Sequence, residues 1–250
     1  IQTFRREFLG RGHEVVLIAP DYGANGADDR DIFRVPARYL VIDPEDRLMR
    51  RRDLLSLGAY LRHRRFDLVH VHTPFVAHYA GLALARRLGL PRVETYHTFF
   101  EEYLFHYAPL LPRRLLRHLA RRFSREQCNA MDAIVVPSTA MLEHLRAYGV
   151  RTPARVLPTG VELGDFQACD GARFRRRHGI PQGRPVLVFI GRVAHEKNID
   201  FLVEVVARVR ATVPEVLLVI AGEGPARGHL ERLVATRGLG ANVRFVGYLD

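Results

Sequence analysis

The sequence predicts an α/β protein made of two successive units, each built on a parallel sheet. Short runs rich in β-branched residues alternate with amphipathic helical patterns along the whole chain. This alternation is typical of βαβ units, whose helices cover both faces of a parallel sheet. The runs fall into two series, and the segment 160–183 between them is rich in glycine, charged and turn-forming residues. That change in composition predicts a boundary near Leu163.

The first unit contains the longer series of strands. Its strand candidates are 15–19, 67–71, 92–96, 133–136 and 154–157. Apolar residues at helical spacing lie between several of them, in 53–64, 76–88 and 139–148. The chain opens in another helical pattern, 1–9, and we expect a further strand and its loop to precede it. We predict a Rossmann-like domain over residues 1–163 that lacks its first strand.

The second unit has a shorter series of strands. Its strand candidates are 186–190, 216–221 and 243–246. The helical pattern between the first two predicts one apolar face, made of Phe201, Leu202, Val205, Val206 and Val209. We predict a second Rossmann-like domain over 164–250, only part of which lies in this chain.

The composition allows a substantial core and favours a cytosolic protein. Apolar residues make up 48% of the 250 residues, enough for two packed domains. No apolar run approaches the roughly 18 residues of a membrane span, and no leader with a small-residue cleavage site is visible. Cys128 and Cys169 have neither metal nor redox spacing, so a reduced cytosol is the expected compartment.

The charge balance favours an anionic partner. The formal net charge is +11 at pH 7, which suits a phosphorylated ligand, an acidic membrane surface or nucleic acid. Composition alone does not choose among these partners.

Lys197 stands out because it is the only lysine among 38 basic residues. It lies between the strand candidate that ends at Ile190 and a helical pattern that starts at Ile199. A cation at a helix N-terminus is disfavoured by a few tenths to about 1 kcal/mol, unless an anion is held between the two. The residue is therefore either a surface lysine paired with Glu196 or part of a phosphate site, and its position after Gly191 favours the phosphate site.

Several polar and glycine residues follow the predicted strands directly. Ligands of open parallel sheets bind beyond the carboxyl ends of the strands, which makes these positions candidates for a site. Each also has an ordinary explanation: a helix N-cap for Ser138, a tight turn for the glycines, a satisfied polar side chain for the histidines. The candidates are His72, His97, Ser138, Gly191, Arg192, Gly222 and Gly224.

Five short motifs together resemble glycosyltransferase family 4. They are 158–161 (PTGV), 189–192 (FIGR), 196–198 (EKN), 221–225 (AGEGP) and 245–248 (FVGY). The segment 95–103 (TYHTFFEEY), followed by His106 and Tyr107, is similar to the bacterial branch that glucosylates diacylglycerol. The resemblance covers essentially the whole chain. It implies the GT-B fold, in which two Rossmann-like domains face a cleft, and transfer from a nucleotide-sugar with retention of configuration.

The resemblance also implies roles for individual residues. Arg192 and Lys197 would bind the donor diphosphate and stabilise its charge as the glycosidic bond breaks, while His97 would approach the sugar and the reacting centre. His72, Phe99 and Phe100 are expected to contact the acceptor or the membrane. No cofactor and no metal are expected. Close backbone contact with the donor is expected at Gly160, Gly191, Gly222 and Gly224.

The resemblance sets expectations for substrates and for the extent of the protein. The expected reaction moves glucose from UDP-glucose to diacylglycerol; a phosphatidylinositol mannosyltransferase or a transferase with a soluble acceptor fits the same residues. The family's glycine-rich loop would lie before Ile1 and its paired glutamates beyond Asp250. We therefore do not expect these 250 residues alone to turn over substrate.

A basic amphipathic helix is predicted over 113–125. A cationic helix with an apolar face can lie on an anionic membrane, but the same pattern fits a core-facing helix with a solvated arginine face. The resemblance favours the membrane, and hence peripheral association with the inner face of the cell membrane. The apolar face is Leu115, Leu116, Leu119, Ala120 and Phe123, and the basic face includes Arg113, Arg114, Arg117, Arg121 and Arg122.

A different class of protein also has to be considered, namely a non-enzymatic basic α/β protein that binds acidic lipid or nucleic acid. A nucleic-acid binder should carry a contiguous basic groove with interleaved aromatic residues. Here the arginines cluster mainly on the 113–125 helix. The other basic segment, 173–178 (RFRRRH), is expected to be a solvated linker helix, so no nucleic-acid partner is expected. The sequence gives no indication of the oligomeric state.

Overall fold

The computed structural model describes residues 1–23, 31–39, 47–101, 111–167 and 169–249. The chain forms two compact units, Ile1–Thr159 and Gly160–Asp250. The division lies at Gly160, close to the boundary that the sequence places at Leu163.

The first unit alternates helices and strands. Its helices are α1 (Gln2–Gly10), α2 (Arg51–Leu61), α3 (Val76–Leu88), α4 (Arg113–Asn129) and α5 (Thr139–Ala147). Its strands are β1 (Leu17–Pro20), β2 (Ile32–Val35), β3 (Ala37–Tyr39), β4 (Arg47–Met49), β5 (Val69–Val71), β6 (Arg92–Thr95), β7 (Ala133–Val136) and β8 (Ala154–Val156). Ser138 caps α5 by accepting a hydrogen bond from the Met141 N–H at 3.2 Å, as its N-cap interpretation predicts.

A parallel sheet in the order β5-β6-β7-β8 forms the centre of the first unit. β1 and β2 also pair in parallel, whereas β3 and β4 pair antiparallel. β2, β3 and β4 are not among the predicted strands, because these three- and four-residue segments mix arginine and tyrosine with their apolar residues. The parallel character of the main sheet is confirmed.

The core of the first unit lies between this sheet and its helices. Ile134 and Val136 on β7 are fully buried against Leu145 of α5 and Cys128 of α4. Burial raises the pKa of the Cys128 thiol to about 12, so the cysteine is a small core residue rather than a nucleophile.

The second unit repeats the pattern on a smaller scale. It contains α6 (Gly171–Arg177), β9 (Val186–Ile190), α7 (Ile199–Val209), β10 (Leu217–Ala221), α8 (Arg227–Thr236) and β11 (Val243–Gly247), with 3₁₀ turns at Leu163–Phe166 and His195–Lys197. The strands form a parallel sheet in the order β11-β10-β9. Every residue of the central strand β10 is buried, which is typical of a parallel strand covered on both faces.

The helix α7 buries most of the apolar face predicted for it, but not Phe201. Ile199, Val203 and Val206 are its buried residues, spaced at three and four residues as on one face of a helix. Phe201, which the sequence analysis places on the apolar face, is 62% exposed within the described structure. Leu202, Val206 and Val209 of the predicted face do pack in the core, so the prediction is wrong at Phe201.

Candidate functional site

Two hydrogen bonds link the carboxyl ends of β5 and β6. The His70 imidazole bonds the Thr95 hydroxyl (Nε2 to Oγ1, 2.8 Å), and the His72 imidazole bonds that of His97 (Nδ1 to Nε2, 3.3 Å). Alternate residues of a strand point to the same side of a sheet, so the two bonds form successive rungs between neighbouring strands. The structure thus brings the predicted residues His72 and His97 into contact at the edge where a ligand is expected.

The three histidines pack as a stack of rings. The centroids of the His70 and His72 rings are 4.1 Å apart, and those of His72 and His97 are 5.6 Å apart with an interplanar angle of 23°. Phe4 of α1 covers the edge of the stack, with centroids 6.2 Å from His70 and 5.7 Å from His72. Ring packing of this kind fixes the orientation of His97.

Burial makes the stack electrically neutral near pH 7. Together with the charge repulsion of the neighbouring histidines, burial lowers the pKa of His70 to about 4 and that of His72 to about 3. Burial also lowers the pKa of His97. A desolvated imidazole favours its uncharged form, so the cluster offers hydrogen-bonding nitrogens rather than positive charge.

The two phenylalanines that follow His97 differ in their surroundings. Phe99 is partly exposed and packs against His144, with ring centroids 5.2 Å apart. Phe100 is only 2% exposed and contacts Phe75, Tyr96 and Phe123 in the core. The expectation that Phe100 contacts the acceptor or the membrane is wrong, because its ring is occupied with packing.

Glu101 is a buried carboxylate that binds the basic helix. It is 8% exposed and accepts from Arg117 Nε at 2.8 Å, from Arg121 Nε at 3.0 Å and Nη2 at 2.8 Å, and from the Tyr148 hydroxyl. These bonds, that of Arg121 foremost, lower the pKa of the Glu101 carboxyl. Arg117 and Arg121 therefore hold α4 to the segment that carries His97, and Tyr148 holds the end of α5 to it.

The faces of α4 differ from those predicted. Its buried residues are Leu116, Ala120, Ser124, Gln127 and Cys128, so only part of the predicted apolar face meets the core. Leu115 and Leu119 are 46% and 45% exposed, and Leu111, just before the helix, is 46% exposed. Leu115 and Leu119 lie one helical turn apart, and together with Leu111 they are called here the leucine stripe.

The five arginines predicted for the basic face divide into groups. Arg117 and Arg121 bind Glu101, and Arg122 pairs with Glu126 one turn along α4 at 2.8 Å. Arg114 and Arg113 are exposed at the start of the helix, and Arg113 also has a partner within the protein. Hence Arg117 and Arg121 have a structural role in binding Glu101, whereas Arg113, Arg114 and Arg122 are exposed.

The loop between β9 and α7 carries Arg192 and Lys197. Arg192 is half-buried, with Nη1 4.0 Å from Glu196 Oε1, so Glu196 pairs with Arg192 rather than with the lysine. Lys197 is exposed and ends the 3₁₀ turn just before α7. Among the described residues it forms no ion pair, and its ammonium is available to an anion near the N-terminus of α7.

Glycines join this loop to the loop that follows β10. A Cβ atom added at Gly222 would lie 2.0 Å from the Gly191 carbonyl oxygen, and one at Gly224 would lie 2.4 Å from that of Val193. Two backbone bonds connect the same loops: Val193 N–H to Glu223 O, 2.8 Å, and Ala226 N–H to Val193 O, 3.0 Å. Gly222 and Gly224 are thus required by backbone packing, whatever their role towards a donor.

Gly160 and Gly191 have fewer constraints. Nothing lies within 4 Å of a Cβ at Gly160, and at Gly191 the nearest atom belongs to the Phe189 ring at 3.6 Å. Gly191 has a φ of +152°, a conformation that favours glycine.

Within the described ranges, no three His, Cys, Asp or Glu side chains are arranged to hold a metal ion. None of the helices in the same ranges is both long and apolar enough to cross a bilayer. Glu102, Tyr103, His106 and Tyr107, which belong to the motif after His97, lie outside the described residues.

Sequence reasoning missed Glu101, His70 and the buried pair of His78 and Glu94. His78 Nδ1 lies 3.1 Å from Glu94 Oε2, and both side chains are almost fully buried between α3 and β6. The i, i+2 spacing of His70 and His72 on one strand was a usable signal, since it places both on one face. For Glu101 and for the buried pair, the partners lie 16 to 47 residues apart in the chain, so no local pattern points to them.

Comparison with known proteins agrees with the motifs. Residues 1–165 match the family model Glycosyltransferase Family 4, and residues 170–250 match Glycosyl transferases group 1. The alpha-monoglucosyldiacylglycerol synthase of Streptococcus pneumoniae is 28% identical over 100% of this chain and 57% of its own length. The GDP-mannose-dependent alpha-mannosyltransferase of Mycobacterium tuberculosis is 32% identical over 90% of this chain and 58% of its own length.

The fold is shared with solved glycosyltransferase structures. The sucrose-phosphate synthase of Thermosynechococcus elongatus matches with a TM-score of 0.72 at 21% identity, over 97% of this chain and 62% of its own. This likeness confirms the predicted α/β, GT-B fold class. The chain spans rather more than half the length of the curated relatives that it matches. Because the family model covers residues 1–165, the chain belongs to glycosyltransferase family 4.

Proposed function

We propose that the whole protein is a retaining hexosyltransferase that moves glucose from UDP-glucose to a hydroxyl of a membrane lipid such as diacylglycerol. The observation that carries this proposal is the similarity to an alpha-monoglucosyldiacylglycerol synthase along 100% of the chain. A second synthase of the same name, from Acholeplasma laidlawii, matches 95% of the chain. Family membership is also why a transferase is preferred to a non-enzymatic lipid-binding or nucleic-acid-binding protein.

The loop between β9 and α7 supports a diphosphate-binding role. Arg192 supplies a planar donor held by Glu196, and Lys197 supplies an exposed point charge at the start of a helix. Cations and helix N-termini both stabilise phosphate oxygens. In the proposed reaction the acceptor oxygen bonds to the sugar carbon as the bond to the diphosphate breaks, and the diphosphate takes the acceptor proton. Interactions that strengthen as this charge develops lower the barrier, with no cofactor or metal required.

The outer face of α4 supports a location on the cytoplasmic face of the membrane. The leucine stripe of Leu111, Leu115 and Leu119 lies beside exposed basic residues, among them Arg114 and Arg122. Apolar side chains flanked by arginine suit the interface of an anionic bilayer. Peripheral binding would bring the enzyme to an acceptor that stays in the lipid phase.

A second donor has specific support. The mannosyltransferase of Mycobacterium tuberculosis, named for its dependence on GDP-mannose, is 32% identical, a higher identity than that of either synthase. A GDP-mannose-dependent enzyme acting on phosphatidylinositol or on a soluble acceptor is therefore the alternative.

The test is a donor-by-acceptor assay with the full-length protein. UDP-glucose and GDP-mannose are each offered with vesicles containing diacylglycerol, with vesicles containing phosphatidylinositol, and with soluble acceptors. Glucosyl-diacylglycerol formed only from UDP-glucose is the expected product, and its anomeric configuration shows retention or inversion. If product forms from GDP-mannose alone, GDP-mannose is the donor instead of UDP-glucose. If the protein binds neither nucleotide-sugar, the transferase assignment is overturned.

A further inference from the structure

The contact between His72 and His97 restricts which atom of His97 can meet a ligand. His97 Nε2 lies 3.3 Å from His72 Nδ1, so this nitrogen is occupied by its neighbour. His97 lies two residues beyond the end of β6 and is exposed, and no described residue hydrogen-bonds its Nδ1. The remaining nitrogen, Nδ1, is therefore the ring atom offered to the ligand.

The proton of the hydrogen bond between His72 and His97 can belong to either ring. A neutral imidazole carries one N–H and one bare nitrogen, so one ring must donate and the other accept. If His97 Nε2–H donates to His72 Nδ1, both rings keep their proton on Nε2, which is the tautomer that a free neutral histidine side chain prefers. The opposite direction would force both rings into the less favoured Nδ1–H form.

The surroundings keep this arrangement neutral and in place. His70 stacks on His72 at 4.1 Å, and its own Nε2 is anchored on the Thr95 hydroxyl. Phe4 closes the edge of the stack. Burial lowers the pKa of all three histidines, so protonation does not disrupt the hydrogen bond near neutral pH.

We propose that His72 is a positioning residue: it accepts the Nε2–H of His97, which leaves a bare Nδ1 on His97 as a hydrogen-bond acceptor for a hydroxyl group of the ligand. A bare nitrogen cannot donate to a phosphate oxygen, so the group recognised is a neutral hydroxyl, such as one on the donor sugar. This identification of the ligand group rests on the proposed transferase function. The tautomer of His97 does not depend on that function, since it follows from the contact between the two rings.

Substitutions of His72 separate the hydrogen bond from the packing. His72→Phe keeps a ring in the stack and removes the acceptor nitrogen. His72→Asn places an amide where Nδ1 lies, and His72→Gln places it near Nε2 instead. His63→Phe, at an exposed histidine after α2, is the matched control for adding a phenyl ring.

The first measurement is the tautomer of His97 by long-range ¹H–¹⁵N NMR on the full-length protein, with the His97 signals assigned by their loss in His97→Asn. We expect an Nε2–H tautomer in the wild type, a mixture of tautomers in His72→Phe and the wild-type state in His72→Asn. A wild-type Nδ1–H tautomer, or an unchanged His97 spectrum in His72→Phe, would overturn the proposal even if the protein had no transferase activity.

The second measurement determines whether substitutions of His72 change kcat or KM. Misplacement of a catalytic group by a fraction of an ångström to 1 Å costs up to about 100-fold in rate. We expect His72→Phe to lower kcat by about 10- to 100-fold with little change in the KM for the nucleotide-sugar, His72→Asn to recover most of the loss, and His72→Gln to recover little. Equal losses in His72→Asn and His72→Phe would contradict a role for the nitrogen.

Discussion

The Glu101 carboxylate accepts two hydrogen bonds from Arg121, from Nε at 3.0 Å and from Nη2 at 2.8 Å, and the two residues form a bidentate pair. Arg117 and Tyr148 bind the same carboxylate, so a single buried acid joins the segment after His97 to α4 and α5. Bidentate arginine–carboxylate pairs are among the stronger hydrogen-bonded contacts in proteins. This group of four side chains, called the Glu101 node, therefore stabilises the packing of the basic helix α4 against the rest of the first unit.

The Glu101 node predicts an acid-sensitive contribution to stability. Because its bonds lower the pKa of Glu101 in the folded state, the stabilisation is complete above the unfolded pKa of about 4.3 and is lost as pH falls through the folded pKa. We expect Glu101→Gln to lower the unfolding midpoint at pH 7 and the gap to the wild type to narrow in acid. Thermal unfolding at pH 7 and at lower pH measures this. A gap that stays constant with pH would contradict it, and Glu143→Gln, at an exposed glutamate on α5, is the control.

The buried pair of His78 and Glu94 predicts strong coupling between two substitutions. His78→Leu leaves the Glu94 carboxylate buried without its partner and should cost about 3 to 5 kcal/mol of the free energy of unfolding. The double variant His78→Leu/Glu94→Leu replaces the pair with apolar side chains and should recover most of that loss. Urea unfolding of both single variants and the double variant gives the coupling energy. If the losses of the two single variants simply add in the double variant, the two side chains are not coupled.

The contact of Gly222 with Gly191 predicts that alanine is not tolerated in the loop after β10. The added methyl group would overlap a backbone carbonyl oxygen, so the main chain of one loop would have to shift. We expect Gly222→Ala and Gly224→Ala each to cost at least about 2 kcal/mol and to weaken nucleotide-sugar binding by displacing Arg192. Gly240→Ala, with open space around its Cβ, should change neither quantity. Chemical unfolding and calorimetric titration measure them, and wild-type stability in Gly222→Ala would refute the packing argument.

The exposed ammonium of Lys197 predicts a binding effect without a stability effect. Loss of a charge-assisted hydrogen bond to a phosphate costs about 1.5 to 3 kcal/mol, so Lys197→Ala should weaken UDP binding by about 10- to 100-fold while the unfolding midpoint stays unchanged. Arg208→Ala removes an exposed charge from the far end of α7 and should leave UDP binding intact. Equal UDP affinity in the wild type and Lys197→Ala would remove this residue from the site.

The outer face of α4 predicts membrane binding through specific residues. Two basic residues near an anionic surface contribute about 2 kcal/mol together, so Arg114→Glu/Arg122→Glu should lower the vesicle partition coefficient by at least roughly 30-fold. Leu115→Gln/Leu119→Gln should also lower the partition coefficient, both on anionic and on zwitterionic vesicles. The control Arg176→Glu lies on α6 in the other basic segment. Sedimentation with vesicles and with duplex DNA separates the partners, and binding to DNA but not to vesicles would contradict the membrane assignment.

The sequence predicted the strands of the main sheets because each is a short apolar run bounded by turn residues. It also placed His72 and His97 at one sheet edge, since parallel strands end on the same side. It failed at α4 because a helical wheel shows which residues share a face but not which face meets the sheet. Arg117 and Arg121 look like surface charges until Glu101, 16 and 20 residues earlier in the chain, folds against them.

Phe100 shows the same limit in a single residue. It adjoins Phe99 and belongs to the same motif, yet one ring is partly exposed while the other lies among Tyr96, Phe75 and Phe123. Neighbouring residues in a chain point in different directions, and tertiary packing decides which of them is buried. Motif membership alone does not separate a contact residue from a core residue.

The two loops of the second unit meet through peptide groups rather than through side chains. Gly222 and Gly224 rest on the carbonyls of Gly191 and Val193, and backbone hydrogen bonds fasten the same segments. Neighbouring side chains such as that of Pro225 can therefore change during evolution while the course of the main chain is preserved. The chemistry of the side chains on these loops can therefore vary by point substitution, whereas an insertion in either loop would break the alignment of both.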